Sequence, residues 1–473
     1  MDPAPFSAVQ IIFQRGTLLI QGDPLPPFLP ELPGILWDPR VRSWRAPAHR
    51  WAELQAALAE RGVRPSVRFC PPDRTRPDTY RTPTATEAPR LELRPYQDAA
   101  LVAWELARRR GVVVLPTGAG KTRVGIAAMQ RGGGRTLFLV PTRVLMEQWL
   151  QRLEEAGVVD PGCYGDGRRD LRPVTVATFE SAWRWMDRIG DRFDLLVVDE
   201  AHHFGNGARD EALEMAIAPA RLGLTATPPD GATAEGLRSL VGPVVFRLGI
   251  ADLVGTYLAP FERLTITLQL TAEERAIYER RMVTFRSVHR AFWRQCPEAS
   301  WVDFVRAVGR SVEGRMALRA LRDAKAMLSW PVAKQHVVGS LLRRHRDDRT
   351  LVFTTDNDTA YAIARAHLVM PITCDISRRE RDAALARFRA GTLRSLVSSQ
   401  VLNEGVDVPD ARIGIVVGGA QGKREHTQRV GRLLRPVEGK QATVYELVMA
   451  GTSEVDKAAR RGEGLAARSA AAG

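Results

Sequence analysis

A short apolar run, VVVLP at 112–116, leads straight into Thr117-Gly118-Ala119-Gly120-Lys121-Thr122 and a following helix. Strand, glycine-rich turn and helix in that order turn backbone N–H groups toward a phosphate chain and add the positive end of the helix dipole. Lys121 can reach the β- and γ-phosphates of a nucleotide, and the Thr122 hydroxyl can ligate Mg²⁺. The strict pattern has glycine at the opening position of the loop, where Leu115 stands. Further along, LLVV at 195–198 ends in Asp199 and Glu200, followed by Ala201 and His202. Four apolar residues ending in two acids put both carboxylates at the carboxyl edge of a buried strand, where open α/β sheets place their ligands. Asp199 suits Mg²⁺ binding, and Glu200 suits orienting and deprotonating an attacking water.

Other short apolar runs alternate with helical patterns: Thr136–Val140, Val174–Thr178 and Leu222–Thr225, then Leu351–Thr354, Ser395–Ser398, Ile413–Val417 and Thr443–Leu447. Such alternation predicts parallel sheets covered on both faces. The expected layout is two α/β units at 91–258 and 259–455. Residues 1–69 form a separate small α+β domain, with a hairpin about Arg15-Gly16 and a helix over Trp51–Arg61. The proline-rich stretch 70–90 reads as a linker, 273–330 as a helical insertion, and 456–473 as a fraying tail.

Lys+Arg number 68 against 54 Asp+Glu, a net +14, which suits a polyanionic partner or serves solubility alone. Between Glu273 and Lys325 stand 12 basic and 7 acidic residues. Aromatics including Tyr278, Phe285, Phe292, Trp293, Trp301 and Phe304 interleave with the arginines there. At helical spacing they serve either as core or as base-stacking platforms, and core is the commoner fate. The four cysteines are far apart, which argues against a zinc site or a disulfide framework. With no apolar h-region at the N-terminus and no apolar run long enough to span a bilayer, a cytoplasmic protein without a membrane partner is expected.

Taken in order, the motifs resemble those of superfamily 2 helicases. Leu93-Arg94-Pro95-Tyr96-Gln97 resembles the Q-type adenine motif, Leu115–Thr122 motif I, and Pro141-Thr142-Arg143 through Gln148-Trp149 motif Ia. Ala177-Thr178 resembles motif Ib, Asp199–His202 a DEAH box, and Leu224-Thr225-Ala226-Thr227-Pro228 motif III. Val352-Phe353-Thr354 is similar to motif IV, Ser398-Ser399-Gln400 through Glu404-Gly405-Val406-Asp407 to motif V, and Gln428 through Pro436 to motif VI. The wording LPTGAGKT, RLGLTATP and QRVGRLLRP is similar to the XPB branch in its short archaeal and bacterial form. QRGTLLIQGD resembles the start of that family's damage-recognition domain, and the helical insertion sits where the family carries a thumb.

The resemblance implies two RecA-like parallel-sheet domains and a 3′ to 5′ ATP-driven motor on duplex, forked or damaged DNA, acting in repair and associated with a partner nuclease. It implies ATP and Mg²⁺ as cofactors. ATP would be held by Arg94, Gln97, Leu115, Pro116, Thr117, Gly118, Ala119, Gly120, Lys121, Thr122, Gly405 and Asp407. The metal would be held by Thr122 and Asp199. Catalysis falls to Lys121, Asp199, Glu200, Gln428, Arg432 and Arg435, the last two as arginine fingers. His202, Thr225 and Thr227 would couple hydrolysis to DNA, and Thr142, Arg143, Thr178 and Gln400 would touch DNA phosphates. An RNA helicase and a non-unwinding scaffold for a nuclease are the competing readings. One departure bears on strand separation: where the family has an Arg-Glu-Asp triplet, this chain reads Thr227-Pro228-Pro229-Asp230-Gly231.

Overall fold

The computed structural model describes residues 9–69, 91–132, 134–399, 411–418, 431, 433 and 441–462. The chain divides into two compact units, 1–249 and 250–473. The expected linker at 70–90 lies outside the described residues apart from its neighbours.

The first unit begins with a five-stranded sheet. Its central hairpin pairs Gln10–Gln14 with Thr17–Gln21 through a two-residue turn. Arg15 and Gly16 both take positive φ there, 47° and 77°, the combination a tight hairpin of the mirror-image type requires. The helix Trp51–Glu60 closes the sheet with Trp51, Leu54 and Leu58 buried. This small domain is fused to the layer behind it, because Ile217 from the α/β domain is part of its apolar core. Any side chain at Gly16 would collide with Met215.

The second layer is an eight-stranded sheet. Its spatial order is Val244–Arg247, Arg110–Val114, Ala220–Thr225, Leu195–Asp199, Thr136–Val140, Val174–Thr178, Gly162–Gly165 and Arg168–Arg169. All pairs are parallel except the last. The runs Thr136–Val140, Val174–Thr178 and Leu195–Asp199 are buried along their whole length, as strands covered on both faces must be. Each is short and apolar, so the polar residues that follow them collect at one carboxyl edge. Arg221 is an exception inside the sheet. It is fully buried, and its guanidinium donates to the carbonyls of Leu213, Ala216, Ala218 and Leu240. Those four acceptors replace the water that burial removes.

The second unit carries a six-stranded parallel sheet in the order Phe261–Leu268, Ala442–Met449, Ile413–Val416, Thr350–Phe353, Ser395–Ser398 and Met370–Ile372. Phe261–Leu268 and Met370–Ile372 were not foreseen from sequence. The first is an edge strand with an intermediate and exposed pattern, so it lacks an apolar run. Three helices, Ala272–Gln295, Trp301–Val308 and Val312–Ser329, form the insertion. Thr271, Ser300 and Ser311 cap them, the first two with full capping boxes. Phe285, Phe304 and Val308 form a buried cluster with Phe292 and Trp293 packed against it. The aromatics there are core, with Trp301 left 47% exposed at its edge.

A helix, Ser453–Gly462, reaches into the segment expected from Asp456 to be a tail, and residues 463–473 lie outside the described residues. The helix is anchored by chemistry that the Ala- and Arg-rich sequence hid. Lys334 is fully buried and donates to both oxygens of Glu454 at 2.9 and 3.0 Å and to Leu328 O at 2.7 Å. The Arg263 guanidinium reaches Ala458 O at 3.2 Å and the buried Glu446 at 3.0 Å. No helix among the described residues is long and apolar enough to cross a membrane. Removing one partner of a buried pair leaves an uncompensated charge, so Glu454→Ala is expected to cost the second unit about 3–5 kcal/mol. The double change Lys334→Met with Glu454→Leu should recover most of that. Urea midpoints check both, and an unshifted Glu454→Ala midpoint would refute the anchor.

Candidate functional site

The phosphate loop leaves the strand Arg110–Val114 and enters the helix Lys121–Gly132. Gly118 and Gly120 take φ of 86° and 79°, the left-handed region where a Cβ is costly. At Gly120 space is also closed: a Cβ would stand 2.5 Å from the Gln97 amide nitrogen. That amide donates to Ala119 O at 2.9 Å, and the Tyr96 hydroxyl donates to the same carbonyl at 2.8 Å. Gln97 Oε1 accepts from the Arg94 N–H at 3.0 Å, and Arg94 Nη1 donates to the Tyr96 hydroxyl at 3.3 Å. Arg94 and Gln97, expected at the nucleotide, therefore also brace the loop that would hold it. Lys121 Nζ donates to Leu115 O at 3.4 Å across the loop. Pro116, Thr117 and Thr122 complete it.

Asp199 ends its strand and is 6% exposed. One carboxylate oxygen accepts from the Glu200 N–H at 3.0 Å, the other from the Trp149 indole N–H at 2.9 Å. Burial, then the neighbouring Glu200 charge, push its carboxyl up to about 6, against Lys121 and those two donors. Glu200 takes a left-handed φ of 49°, a conformation that costs a non-glycine residue about 1–3 kcal/mol and persists only when its surroundings impose it. Its carboxylate lies 3.4 Å from His202 Nδ1. His202 Nδ1 is in turn 3.1 Å from Thr225 Oγ1, which donates to Thr227 O at 3.1 Å and accepts from the Thr227 N–H at 3.2 Å. The three residues expected to couple hydrolysis to DNA thus form one buried chain that starts at Glu200.

Among the described residues no group of three His, Cys, Asp or Glu side chains forms a metal cage. A hydroxyl and one carboxylate fit Mg²⁺, which takes one or two protein oxygens and completes its shell with water and phosphate. A divalent cation would also relieve the crowding of negative charge at Asp199 and Glu200.

Thr142, Arg143 and Thr178 come together on one cavity of about 490 Å³. Thr142 Oγ1 caps the helix Arg143–Glu155 by accepting from the Leu145 N–H, and Thr178 Oγ1 caps Phe179–Ile189 by accepting from the Ser181 N–H. Two positive helix ends therefore face the same space, a setting made for phosphate. Arg143 is ion-paired with Asp166 at 2.5 Å, and the Arg169 guanidinium lies over the Trp185 ring at 4.2 Å. Gln400, Gly405, Asp407, Gln428, Arg432 and Arg435 lie outside the described residues.

Sequence reasoning assigned no role to Trp149, although it stood at the end of a quoted motif. Nor did it assign one to Tyr96 or Asp166. Nothing in spacing announces that an indole seven residues beyond Thr142 reaches a carboxylate fifty residues on.

Residues 11–65 match the family described as xeroderma pigmentosum group B helicase damage recognition domain. Residues 90–230 match type III restriction enzyme, res subunit, and 333–437 match helicase conserved C-terminal domain. The chain is 33% identical to the DNA 3′-5′ translocase XPB2 of Sulfurisphaera tokodaii, over 91% of this chain and 96% of that protein. It is 31% identical to the DNA 3′-5′ helicase XPB of Mycobacterium tuberculosis, over 79% of this chain and 64% of that longer protein. Among solved structures, the helicase domain of Pyrococcus furiosus Hef superposes with a TM-score of 0.53 at 19% identity, covering 78% of this chain and 98% of that one, a likeness of fold.

Outer hydrogen-bond donors to a metal-binding or catalytic carboxylate typically matter by 10–100-fold. Trp149→Phe keeps the packing against Phe138 and removes only the N–H. ATP turnover is expected to fall roughly 10–100-fold while the folded state persists. Turnover within twofold of the parent would show the hydrogen bond to be idle.

Proposed function

The chain belongs to the XPB family of superfamily 2 helicases, and from that premise we propose that it is an ATP-dependent 3′ to 5′ DNA translocase and helicase acting in DNA repair. The observation that carries the reading is one helix, Arg143–Glu155. Its capped N-terminus opens on the cavity with the two helix ends, and its Trp149 holds Asp199 of the nucleotide site. From residue 142 to 149 along a helix is about 10 Å at 1.5 Å per residue. A change at the nucleotide and a change at the DNA phosphates are thus two ends of one rigid element.

In this reading Lys121 and the loop amides bind the β- and γ-phosphates of ATP. Thr122 and Asp199 would hold Mg²⁺, which neutralises charge developing on the transferred phosphoryl group. Glu200 takes the proton of the attacking water, oriented by its contact with His202. When Glu200 gains that proton, its interaction with His202 Nδ1 changes, and the His202–Thr225–Thr227 chain can re-form differently. Thr142, Thr178 and Arg143 grip backbone phosphates, so binding is insensitive to base sequence. Arg143 must exchange Asp166 for phosphate to do so. The match of residues 11–65 to a damage-recognition domain supports a repair role.

Lys121→Ala and Glu200→Gln are each expected to abolish DNA-stimulated ATP hydrolysis in a folded protein. Rates with no nucleic acid, duplex DNA, single-stranded DNA and RNA, measured in parallel, test this, and hydrolysis by Glu200→Gln within threefold of the parent would refute the assignment. Strongest stimulation by RNA would favour the RNA helicase reading instead.

The segment after motif III turns directly into the helix Gly231–Leu240, with Pro229 buried and only Asp230 left exposed of the family's charged triplet. Two prolines cannot supply that charge, and each lacks a backbone donor. Motion along duplex DNA is therefore expected to exceed strand separation. Displacement of a triplex strand should outpace unwinding of a forked duplex at equal ATP turnover. Efficient unwinding without better triplex displacement would overturn this.

A further inference from the structure

One peptide unit of the phosphate loop, between Ala119 and Gly120, is held from outside the loop. Ala119 is fully buried, and its carbonyl accepts from the Tyr96 hydroxyl at 2.8 Å and from the Gln97 amide at 2.9 Å. Two donors use both lone pairs of that oxygen. The donors are themselves fixed by one residue. Arg94 Nη1 donates to the Tyr96 hydroxyl at 3.3 Å, which commits the hydroxyl's own proton to Ala119 O. The Arg94 N–H donates to Gln97 Oε1 at 3.0 Å, which turns the NH₂ end of that amide to Ala119 O.

A trans peptide is planar, and its N–H points opposite to its C=O. With Ala119 O turned toward the helix Pro95–Leu106, the Gly120 N–H is turned away from it. Phosphate loops work by presenting such amides to the phosphate chain. Gly120 does not choose that orientation by itself. Glycine takes φ of either sign about equally, so this peptide is free to lie either way up until something holds its carbonyl. The observed φ of 79° accompanies the orientation that Tyr96 and Gln97 hold.

Reading a base is a different task, and Gln97 is not placed for it. Gln97 is 1% exposed and Tyr96 8%. The loop itself closes the space beside the amide, since a Cβ on Gly120 would stand 2.5 Å from Gln97 Nε2. An amide with so little accessible surface has no edge to offer a base.

We propose that Tyr96 and Gln97 are positioning residues for the nucleotide's phosphates: a two-donor clamp that sets the orientation of the Ala119–Gly120 peptide and takes no part in recognising the base. The proposal rests on the reading of this loop as the ATP site.

The test uses full-length Tyr96→Phe and Gln97→Met, each of which removes one donor to Ala119 O and nearly keeps the side chain's size. Calorimetry with Mg²⁺ gives the affinity for ATP, and inhibition of ATP hydrolysis gives the affinity for inorganic tripolyphosphate, which has no base. Each variant should weaken both ligands by one common factor of at least about fivefold, as expected when a buried acceptor loses a donor. A residue serving only the stability of the domain would shift the urea midpoint and leave the affinities of the folded protein alone. Weaker ATP with unchanged tripolyphosphate in Gln97→Met would make Gln97 a base reader and overturn the proposal. A loss smaller than fivefold for both ligands in both variants would overturn it too, as would failure of tripolyphosphate to compete with ATP on the parent. Tyr96→Phe leaves Gln97 on Ala119 O and decides the matter alone if Gln97→Met does not fold. A parent that binds no ATP would refute the nucleotide site and the clamp together, a failure seen before any variant is made.

Discussion

A strand buried on both faces can hold a polar side chain cheaply only at its ends, unless the interior supplies that group's hydrogen bonds. That constraint shapes the first unit. Leu195–Asp199, Thr136–Val140, Val174–Thr178 and Ala220–Thr225 are mostly apolar, with Thr136, Thr175 and Arg221 the buried exceptions, and at their carboxyl ends the chain delivers Asp199, Thr142, Thr178 and Thr225 to one edge. Gathered on that edge, they find partners there. Asp199 takes the Trp149 indole, and His202 takes Thr225.

Where a charge does enter the interior, the structure gives it a full set of partners. Arg221 has four carbonyls, Lys334 has Glu454 and Leu328 O, and Glu446 has Arg263. Such groups contribute little net stability, yet each is costly to leave half-satisfied. They define how neighbouring elements must sit. Arg221 ties the turn around Leu213–Ala218 to the end of the helix Gly231–Leu240, and Lys334 seats the last helix on the second sheet. The strain at Glu200 belongs to the same economy of placement, because a left-handed residue turns its carboxylate back toward His202.

The insertion in the second unit follows a different rule. Its helices carry excess positive charge in sequence, but their aromatics pack inward: Phe304 is fully buried, with the rings of Phe292, Trp293 and Trp301 each about 5 Å from it. One end of the insertion packs on the sheet through Tyr278, Leu328 and Met449, and at Phe285, Phe304 and Val308 the helices have a core of their own, which the large rings provide.

The amino-acid sequence by itself determined the parallel-sheet class, the phosphate loop, the acidic pair and the ordered motifs, because each is local: a run of apolar residues, a glycine that must take positive φ, an acid that must follow a strand. It also placed the hairpin at Arg15-Gly16 and the helices of the insertion. Only the tertiary structure decided which side chains meet. Trp149 and Asp199 are fifty residues apart, Lys334 and Glu454 are 120 apart, and Arg143 meets Asp166 across two elements. The edge strand Phe261–Leu268 and the helix Ser453–Gly462 were equally hidden, since their stability comes from Glu446, Arg263 and Lys334 rather than from a pattern of their own. Local preference is written residue by residue, whereas a hydrogen bond between distant elements exists only after burial has excluded the water that would otherwise take its place.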